Sequence, residues 1–139
     1  MDRLRIPSES RYAPTIGFSK AVRAGDLVFL AGVTAVDAEG GVTGGDDPHA
    51  QALACFAKIA DALRSAGATT DDVVHTRMYL TDAADWEAVG RAHGETFAAA
   101  PPAATMVVVK ELLDPRMLVE IEVTAVAGGT MGAVPGPQQ

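Results

Sequence analysis

Two segments of the chain are apolar at both odd and even positions. They are DLVFLAGV, which begins at Asp26, and MVVV, which begins at Met106. Both have the β-branched and aromatic content that is typical of strands. Successive side chains of a strand point to opposite faces of its sheet, so such strands present apolar surface on both faces. Any fold for this chain therefore has to bury both faces of a sheet.

The helices that the sequence predicts can cover only one of those faces. Asp47-Pro48 begins the first helix, because Asp47 can cap it and proline is tolerated in the first turn. Gly67 occupies the position of a C-cap glycine. The apolar side of this helix is predicted to hold Leu53, Phe56, Ile59, Ala60 and Leu63. A second helix begins at Thr81 or Asp82 and ends before Pro101, with Trp86, Val89, His93 and Phe97 on one side.

The predicted order of elements is β-β-α-β-α-β-β, in a single α+β domain over residues 1–127. KAVRAGDLVFLAG forms a hairpin with its turn at Ala24-Gly25-Asp26, and VVHTRMYLTD, ATMVVV and LVEIEVTAV form the other strands. The first dozen residues and the stretch 37–47 are predicted to be irregular, and residues 128–139 to be a flexible Gly/Pro-rich tail. Two helices cover one sheet face. The other face is expected to lie against other subunits, to line a ligand cavity, or to do both.

Composition excludes several classes of function. The chain has 139 residues, of which 48% are hydrophobic, and a formal net charge of -7. It lacks an apolar run of about 20 residues and an apolar N-terminal stretch, so we expect no membrane span and no secretory signal. A single cysteine, Cys55, fits a cytoplasmic protein. The acidic balance argues against nucleic-acid partners. Because no phosphate loop, HExxH motif or paired Cys/His spacing is present, we expect neither a cofactor nor a metal.

Three segments together resemble the RidA/YjgF family. GFSKAVRAGDLVFLAG is similar to the family's opening motif, DDVVHTRMYLTDAADWEAVGRAHGETF to its central segment, and PPAATMVVV with LVEIEVTAVA to its ending. The match runs from Phe18 to Ala127. The resemblance implies a chorismate-mutase-like α+β fold and a homotrimer with three clefts between subunits. It also implies a small-molecule ligand, because the best-known members hydrolyse reactive imines and enamines, such as 2-aminoacrylate, to keto acids and ammonia.

Several site positions implied by the resemblance carry altered residues here. The arginine that clamps the substrate carboxylate in the family falls on Ala104, and the residue two positions further on, often cysteine, is Met106. The opening tyrosine is Phe18, the serine before the glycine is Ala31, and the helix asparagine is Gly90. Losing an arginine removes a bidentate, charge-assisted contact that nothing small replaces. The predicted cleft therefore lacks the arginine that binds the substrate carboxylate in the family.

Other predicted site positions are retained or replaced. Gly32 and Glu120 match the family, and Glu120 can position water for attack on an iminium carbon or can be a solvated interface carboxylate. His93 stands where the family has a site aromatic, so it either contacts ligand or belongs to the core. Arg77 shares a strand face with His75 and Tyr79, opposite the helices. It is either a substitute anion anchor or a partner of Glu120 or Glu122.

Two hypotheses follow for the function. The first is an imine or enamine deaminase that acts on a non-standard, neutral or aromatic substrate in an inter-subunit cleft. The second is a non-catalytic small-molecule-binding or regulatory trimer. Retention of Glu120 favours the first, and loss of the arginine, tyrosine and serine positions favours the second. A nuclease function, a label given to some relatives, is disfavoured by the acidic charge.

Overall fold

The computed structural model describes residues 2–128, which form one six-stranded mixed sheet with helices. The strands are β1 (Arg3–Pro7), β2 (Ser19–Ala24), β3 (Leu27–Leu30), β4 (Val73–Leu80), β5 (Ala103–Val108) and β6 (Val119–Val126). Their order in the sheet is β1-β2-β3-β6-β4-β5. Strands β4 and β5 are parallel and all other neighbours are antiparallel. The helices are α1 (Ala13–Ile16), α2 (Pro48–Ser65) and α3 (Trp86–Thr96). The predicted α+β class is confirmed.

The N-terminal segment differs from the prediction of an irregular lead-in. Residues Arg3–Pro7 form β1, which pairs antiparallel with β2, and Ala13–Ile16 form one helical turn. The segment RLRIP alternates charged and apolar residues, but five residues are too few for the alternation to stand out. Its side chains are mostly exposed, and Ile6 packs against the core. Backbone pairing with the free edge of β2, rather than burial, therefore defines this strand.

Helix α2 has the predicted caps and a slightly rotated buried side. The Asp47 carboxylate accepts hydrogen bonds from the backbone N–H groups of His49 at 3.0 Å and Ala50 at 3.3 Å. Gly67 follows the helix in the left-handed conformation, with φ of 82°. Leu53, predicted to lie on the apolar side of the helix, is 39% exposed. The buried positions of the helix are Gln51, Ala52, Cys55, Phe56, Ile59, Ala62 and Leu63.

Helix α3 follows a 3₁₀ turn over Ala83–Asp85, which Asp82 caps by accepting from the N–H of Ala84 at 2.9 Å. Val89 and Phe97 are buried as predicted. Trp86, which was predicted to lie on the same side of the helix, is 61% exposed. Trp86 is the first residue of the helix and lies about one turn before the first residue that reaches the core.

Alternate residues of the central strands face different surroundings. On β6, Val119, Ile121 and Val123 are buried toward the helices, whereas Glu120 and Glu122 point to the second face. On the second face, or open face, the exposed apolar residues are Leu27, Phe29, Val107 and Val126. The prediction that the sheet is apolar on both faces is confirmed for β3. Within residues 2–128, no helix is long and apolar enough to cross a membrane.

Candidate functional site

The side chain of Glu120 lies directly against Gly32. Backbone hydrogen bonds hold the two segments together, from Val33 N–H to the Ile121 carbonyl at 2.8 Å and from Ile121 N–H to the Val33 carbonyl at 2.9 Å. A Cβ atom added at Gly32 would come within 2.1 Å of Oε2 of Glu120. Glycine is therefore required for the carboxylate to reach its position. The two retained positions of the predicted site form one structural unit.

A cavity of about 250 Å³ opens beside this unit. Its walls come from the lead-in, the end of β3, the start of β6 and the loop before β6. Three of the predicted site residues besides Glu120 line it: Phe18, Ala31 and Gly32. The other lining residues are Ser10, Tyr12, Ile16, Thr34, Leu113 and Met117. Among the residues that the structure describes, none that line this cavity is a lysine or an arginine.

Interactions from α2 fix two of the loops that form the cavity. Lys58 donates from Nζ to the carbonyl oxygens of Thr34 at 2.7 Å and Val36 at 3.0 Å, which fixes the chain after Gly32. The buried Gln51 donates to the carbonyl oxygen of Arg116 at 2.9 Å and accepts from the N–H of Leu118 at 3.0 Å. The loop that carries Leu113 and Met117 is therefore held by a fully bonded core side chain, as buried polar groups require.

Glu120 holds its proton more tightly than an ordinary glutamate. Burial raises the pKa of its carboxyl, because the charged form is poorly solvated, and the nearby Glu122 raises it further. A carboxyl group with a raised pKa, placed in a mostly apolar cavity, can act as a general base or general acid closer to neutral pH. This combination of burial, neighbouring charge and cavity is typical of a catalytic carboxyl.

Arg77 lies on the open face, as predicted, together with His75 and Tyr79. Its Nη1 is 3.8 Å from Oε2 of Glu122, and the Tyr79 hydroxyl donates to Oε1 of the same carboxylate. Of the two partners that the sequence left open for Arg77, the structure shows Glu122. Arg77 does not line the cavity beside Glu120.

Four predicted site residues lie elsewhere in the chain. His93 on α3 shares a hydrogen bond with the hydroxyl of Thr76 across 2.8 Å and contacts the rings of Phe56 and Phe97, so it belongs to the core under the helices. Burial lowers the pKa of its imidazole. The remaining three are Gly90 on α3 and Ala104 and Met106 on β5.

Strand β5 is an edge strand, and its register shows which way its predicted site residues face. Ala104 is paired with Thr76 and Met106 with Met78, so both point to the helix side of the sheet. Ala104 is exposed and Met106 packs against the core. Within one chain, eight of the predicted site residues therefore form two groups, one at the Glu120 cavity and one on β5 and α3, and Arg77 lies apart from both on the open face.

A second cavity, of about 410 Å³, adjoins the first. Phe18, Ala31, Gly32, Ser10 and Thr34 line both cavities, so the segment 31–34 forms a shared wall. The second cavity extends toward α2, where its additional lining includes Lys20, Asp37, Lys58 and Asp61. A ligand at Glu120 that is larger than a three-carbon acid therefore has space to extend.

Sequence patterns did not indicate several residues of the cavity wall. Tyr12, Ile16, Leu113 and Met117 lie in the lead-in and in the loop before β6, segments without helix or strand periodicity. Their positions depend on long-range contacts, such as the hydrogen bond from Nη1 of Arg116 to the Gly40 carbonyl at 2.9 Å. Ile16 ends the single turn of α1, Leu113 follows Leu112 in the loop before β6, and the apolar character of these residues was the available signal. These two are 60% and 67% exposed in the single chain.

Comparison with known proteins places the chain in a family. The family model described as Endoribonuclease L-PSP matches residues 8–127. An uncharacterized protein of Streptomyces coelicolor is 38% identical over 124 residues, which cover 89% of this chain and 92% of that protein. A RutC family protein of Saccharolobus solfataricus is 31% identical over 121 residues, which cover 86% of this chain and 94% of that protein.

A crystal structure gives the same result for the fold. A member of the YjgF/YER057c/UK114 family from Mycobacterium tuberculosis is 40% identical to this chain and superposes with a TM-score of 0.82. The alignment covers 91% of this chain and 100% of that one. The six-stranded mixed sheet and the motif positions therefore agree with the sequence resemblance, and the chain belongs to the RidA/YjgF family.

Proposed function

We propose that the protein is a homotrimeric imine or enamine deaminase whose substrate lacks the carboxylate handle of 2-aminoacrylate. The observation that carries the proposal is Glu120, a carboxyl group with a raised pKa, against Gly32 in a cavity whose described lining contains no lysine or arginine. The acid that such chemistry needs is present, and a cationic anchor for a small carboxylate is absent from that lining. The lining suits a neutral or aromatic side chain instead.

The trimer is part of the proposal because the predicted site residues fall into two groups. Phe18, Ala31, Gly32 and Glu120 surround the cavity, whereas Ala104 lies on the edge strand β5. A cleft between two subunits can use one group from each. The exposed apolar residues of the open face supply the surface that such an assembly would bury.

Glu120 would move one proton in each direction during turnover. The carboxylate takes a proton from a water molecule while the water oxygen bonds to the iminium carbon and the C=N π electrons move to nitrogen. The Glu120 carboxyl then gives that proton to the amino group of the carbinolamine. The C–N bond breaks as the hydroxyl oxygen forms the carbonyl, and the hydroxyl proton goes to the departing ammonia. One imine cation and one water thereby become one carbonyl compound and one ammonium ion.

Local charge also favours this substrate class. Glu120 and Glu122 lie two residues apart on one face of β6, so the site is more favourable for a protonated imine than for an anion. A substrate carboxylate in the cavity would lie beside Glu120, and the described lining of this cavity contains no guanidinium to compensate the two charges. We therefore expect discrimination against 2-iminopropionate.

A coupled assay tests the proposal. An amine oxidase generates the imine of 2-phenylethylamine in the assay, an amino-acid oxidase generates 2-iminopropionate from alanine, and release of ammonia is followed for both. The native chain is expected to accelerate hydrolysis of the aromatic imine. Glu120→Gln should lower that rate by about 100-fold or more, the usual contribution of a positioned acid–base group. The matched control Glu87→Gln changes an exposed glutamate on α3 and should leave the rate unchanged.

The variant Ala104→Arg tests the missing anchor. It should gain activity on 2-iminopropionate, because a guanidinium at this position restores a charge-assisted contact with the carboxylate. Equal native activity on both substrates would contradict the proposal that the cleft excludes carboxylates. If the native chain accelerates hydrolysis of neither substrate, the proposal that it is a deaminase is contradicted.

A second function, a non-catalytic small-molecule-binding or regulatory trimer, is favoured by one observation. Positions that carry hydroxyl groups in the resemblance are occupied by Phe18 and Ala31 at the cavity wall, so fewer polar groups are available to orient a reacting molecule. This function predicts that phenylacetaldehyde, the product of the aromatic imine, raises the melting temperature of native protein and Glu120→Gln equally, with no turnover by either.

A further inference from the structure

Next to Glu120, three side chains of β4 and β6 form a network on the open face. In the strand register, Arg77 is opposite Glu122 and Tyr79 is opposite Glu120. The Tyr79 hydroxyl donates to Oε1 of Glu122, and Nη1 of Arg77 lies 3.8 Å from its Oε2. Each carboxylate oxygen of Glu122 therefore has a partner from β4. We call Arg77, Tyr79 and Glu122 the carboxylate network.

We propose that Arg77 and Tyr79 hold Glu122 as a fixed negative charge beside Glu120, and that this charge sets the pH range over which Glu120 exchanges its proton. The inference rests on the proposed function, in which Glu120 transfers protons. The three network residues are positioning residues, because they act on the reaction through the charge beside Glu120 and not by contact with the substrate.

The geometry makes Glu122 an effective neighbour. Side chains two residues apart on one face of a strand lie about 6–7 Å from each other. At that distance a fixed negative charge raises the pKa of a neighbouring carboxyl, and it does so more strongly where less water screens the pair. Glu122 is itself only about one-third exposed, at 33% of its side chain, so screening is incomplete.

The pKa values of Glu120 and Tyr79 are both raised, and Glu122 is among the causes of each shift. After burial, Glu122 is the cause that raises the pKa of Glu120. The hydrogen bond to Glu122 is the largest cause that raises the pKa of the Tyr79 phenol. Both shifts describe a carboxylate that favours protons on the groups around it.

Among the described residues, Glu122 is the acid whose charge raises the pKa of Glu120, whereas the acids that line the adjoining cavity, Glu9, Asp37, Glu39 and Asp61, are not among the causes. Around Glu120, α2 contributes Cys55, whose thiol has a pKa raised to about 12 mainly by burial, and Lys58, which is bonded to two carbonyl oxygens. Tyr12 lines the cavity, and His75 lies two residues from Arg77 along β4. The negative field at Glu120 therefore originates in the network.

A carbon-13 NMR titration of the assembled protein tests the proposal without requiring turnover. The glutamate carboxyl carbons are labelled, and the Glu120 signal is assigned by its loss in Glu120→Gln. Glu122→Gln removes the neighbouring charge and should lower the Glu120 midpoint by about 0.5–1.5 pH units. Arg77→Met leaves the charge of Glu122 uncompensated and should raise the midpoint by about 0.5 pH units.

A double variant separates action through Glu122 from direct action. In the Glu122→Gln background, Arg77→Met should shift the Glu120 midpoint by less than half as much as in the native background. Arg91→Met removes a guanidinium from α3 and should leave the midpoint unchanged. Arg77→Lys keeps the positive charge and should keep the midpoint within about 0.3 pH units of the native value, which also covers the case in which Arg77→Met fails to fold.

Two results would overturn the proposal. One is a Glu120 midpoint that does not fall in Glu122→Gln. The other is an Arg77→Met shift that is the same with and without Glu122, which would mean that Arg77 acts on Glu120 directly. Because the titration follows a proton and not a product, the network can be confirmed or rejected independently of the coupled assay. If the titration responds as expected but no turnover is detected, the proposed deaminase activity is rejected and the carboxylate network is retained.

Discussion

The two faces of the sheet are built from the same strands and differ in what they contribute. On β4, Thr76 and Met78 are buried toward the helices. Arg77 and Tyr79 point to the open face, where the side chain of Arg77 is 37% exposed and Tyr79 is partly buried. The covered face contains polar groups that are fully bonded, such as Thr76 with His93. The open face carries Glu120, the carboxylate network and exposed apolar side chains such as Phe29. Stability and the candidate chemistry thus reside on alternate residues of single strands.

The largest effect that tests this division is expected on β6. Ile121 is fully buried toward the helices, so Ile121→Ala should lower the free energy of unfolding by about 2–5 kcal/mol through lost burial and a residual cavity. Thr124→Ala, on the open face of the same strand, should cost less than about 1 kcal/mol. Urea denaturation at one protein concentration measures both. Similar losses would show that the two faces are not energetically distinct.

This division was largely predictable from the sequence because it follows from local periodicity. Strict alternation over LVEIEVTAV placed Val119, Ile121 and Val123 on one side and Glu120 and Glu122 on the other, as the structure shows. The Asp47 cap also depends on residues within one turn. Trp86 and Leu53 are exposed although they were predicted on the apolar sides of their helices, because an amphipathic pattern gives the side of a helix but not how far the neighbouring elements extend over it.

The candidate site was less predictable because its contacts are long-range. The close approach of Gly32 to Glu120 joins the end of β3 to β6, and neither residue's local pattern indicates the other. The cavity wall from Tyr12 and Leu113 depends on loops without periodicity. Family resemblance supplied the positions of Phe18, Ala31, Gly32 and Glu120, and the structure shows that these four line one cavity.

A second test concerns what covers the open face. Phe29 is 46% exposed at the centre of β3, so Phe29→Glu places a charge on the surface proposed to be buried between subunits. We expect the native chain to sediment as the proposed trimer and this variant to sediment as a monomer, because burial of an unpaired charge is strongly unfavourable. The control Trp86→Glu changes a residue that is 61% exposed on α3 and should remain trimeric. A monomeric native chain, or dissociation by Trp86→Glu alone, would assign assembly to another surface.

The third test concerns Gly32. In Gly32→Ala, the new Cβ would meet the Glu120 carboxylate at 2.1 Å, and the side chain must move. Because the clashing atom is the far end of a flexible side chain that can move away, we expect a loss of about 1 kcal/mol in the free energy of unfolding, the low end for overpacked sites. In the Glu120→Ala background the same change should cost less than half as much, since the clashing group is gone.

A matched glycine makes that result specific. Nothing lies within 4 Å of a Cβ placed at Gly90 on α3, so Gly90→Ala should raise the free energy of unfolding by about 0.5–1 kcal/mol through helix propensity. If Gly32→Ala costs the same with and without Glu120, the loss arises from the backbone and the close approach does not explain the retained glycine.

The smallest expected effect compares one titratable group from each face. Burial lowers the pKa of His93 under the helices from its ordinary value of 6.5, and burial with Glu122 raises that of Glu120 on the open face from 4.5. His93 therefore contributes stability that is present above pH 6.5 and is lost as pH falls through its lower native pKa. Glu120 does the opposite: its contribution is present below pH 4.5 and is lost as pH rises through its higher native pKa.

Unfolding free energies of His93→Gln and Glu120→Gln, measured from pH 4 upward and compared with those of the native chain, separate the two groups. The free energy of unfolding of His93→Gln should rise relative to that of the native chain as pH falls below 6.5. The free energy of unfolding of Glu120→Gln should rise relative to that of the native chain as pH rises above 4.5. Each change should stay below about 1 kcal/mol, because both groups are partly exposed and water screens them. Glutamine can still bond to Thr76, so a constant offset reports packing and only the slope reports the proton. If the difference in unfolding free energy from the native chain changes with pH in the same direction for both variants, the two faces share one electrostatic environment. That result would contradict the proposed difference between the faces.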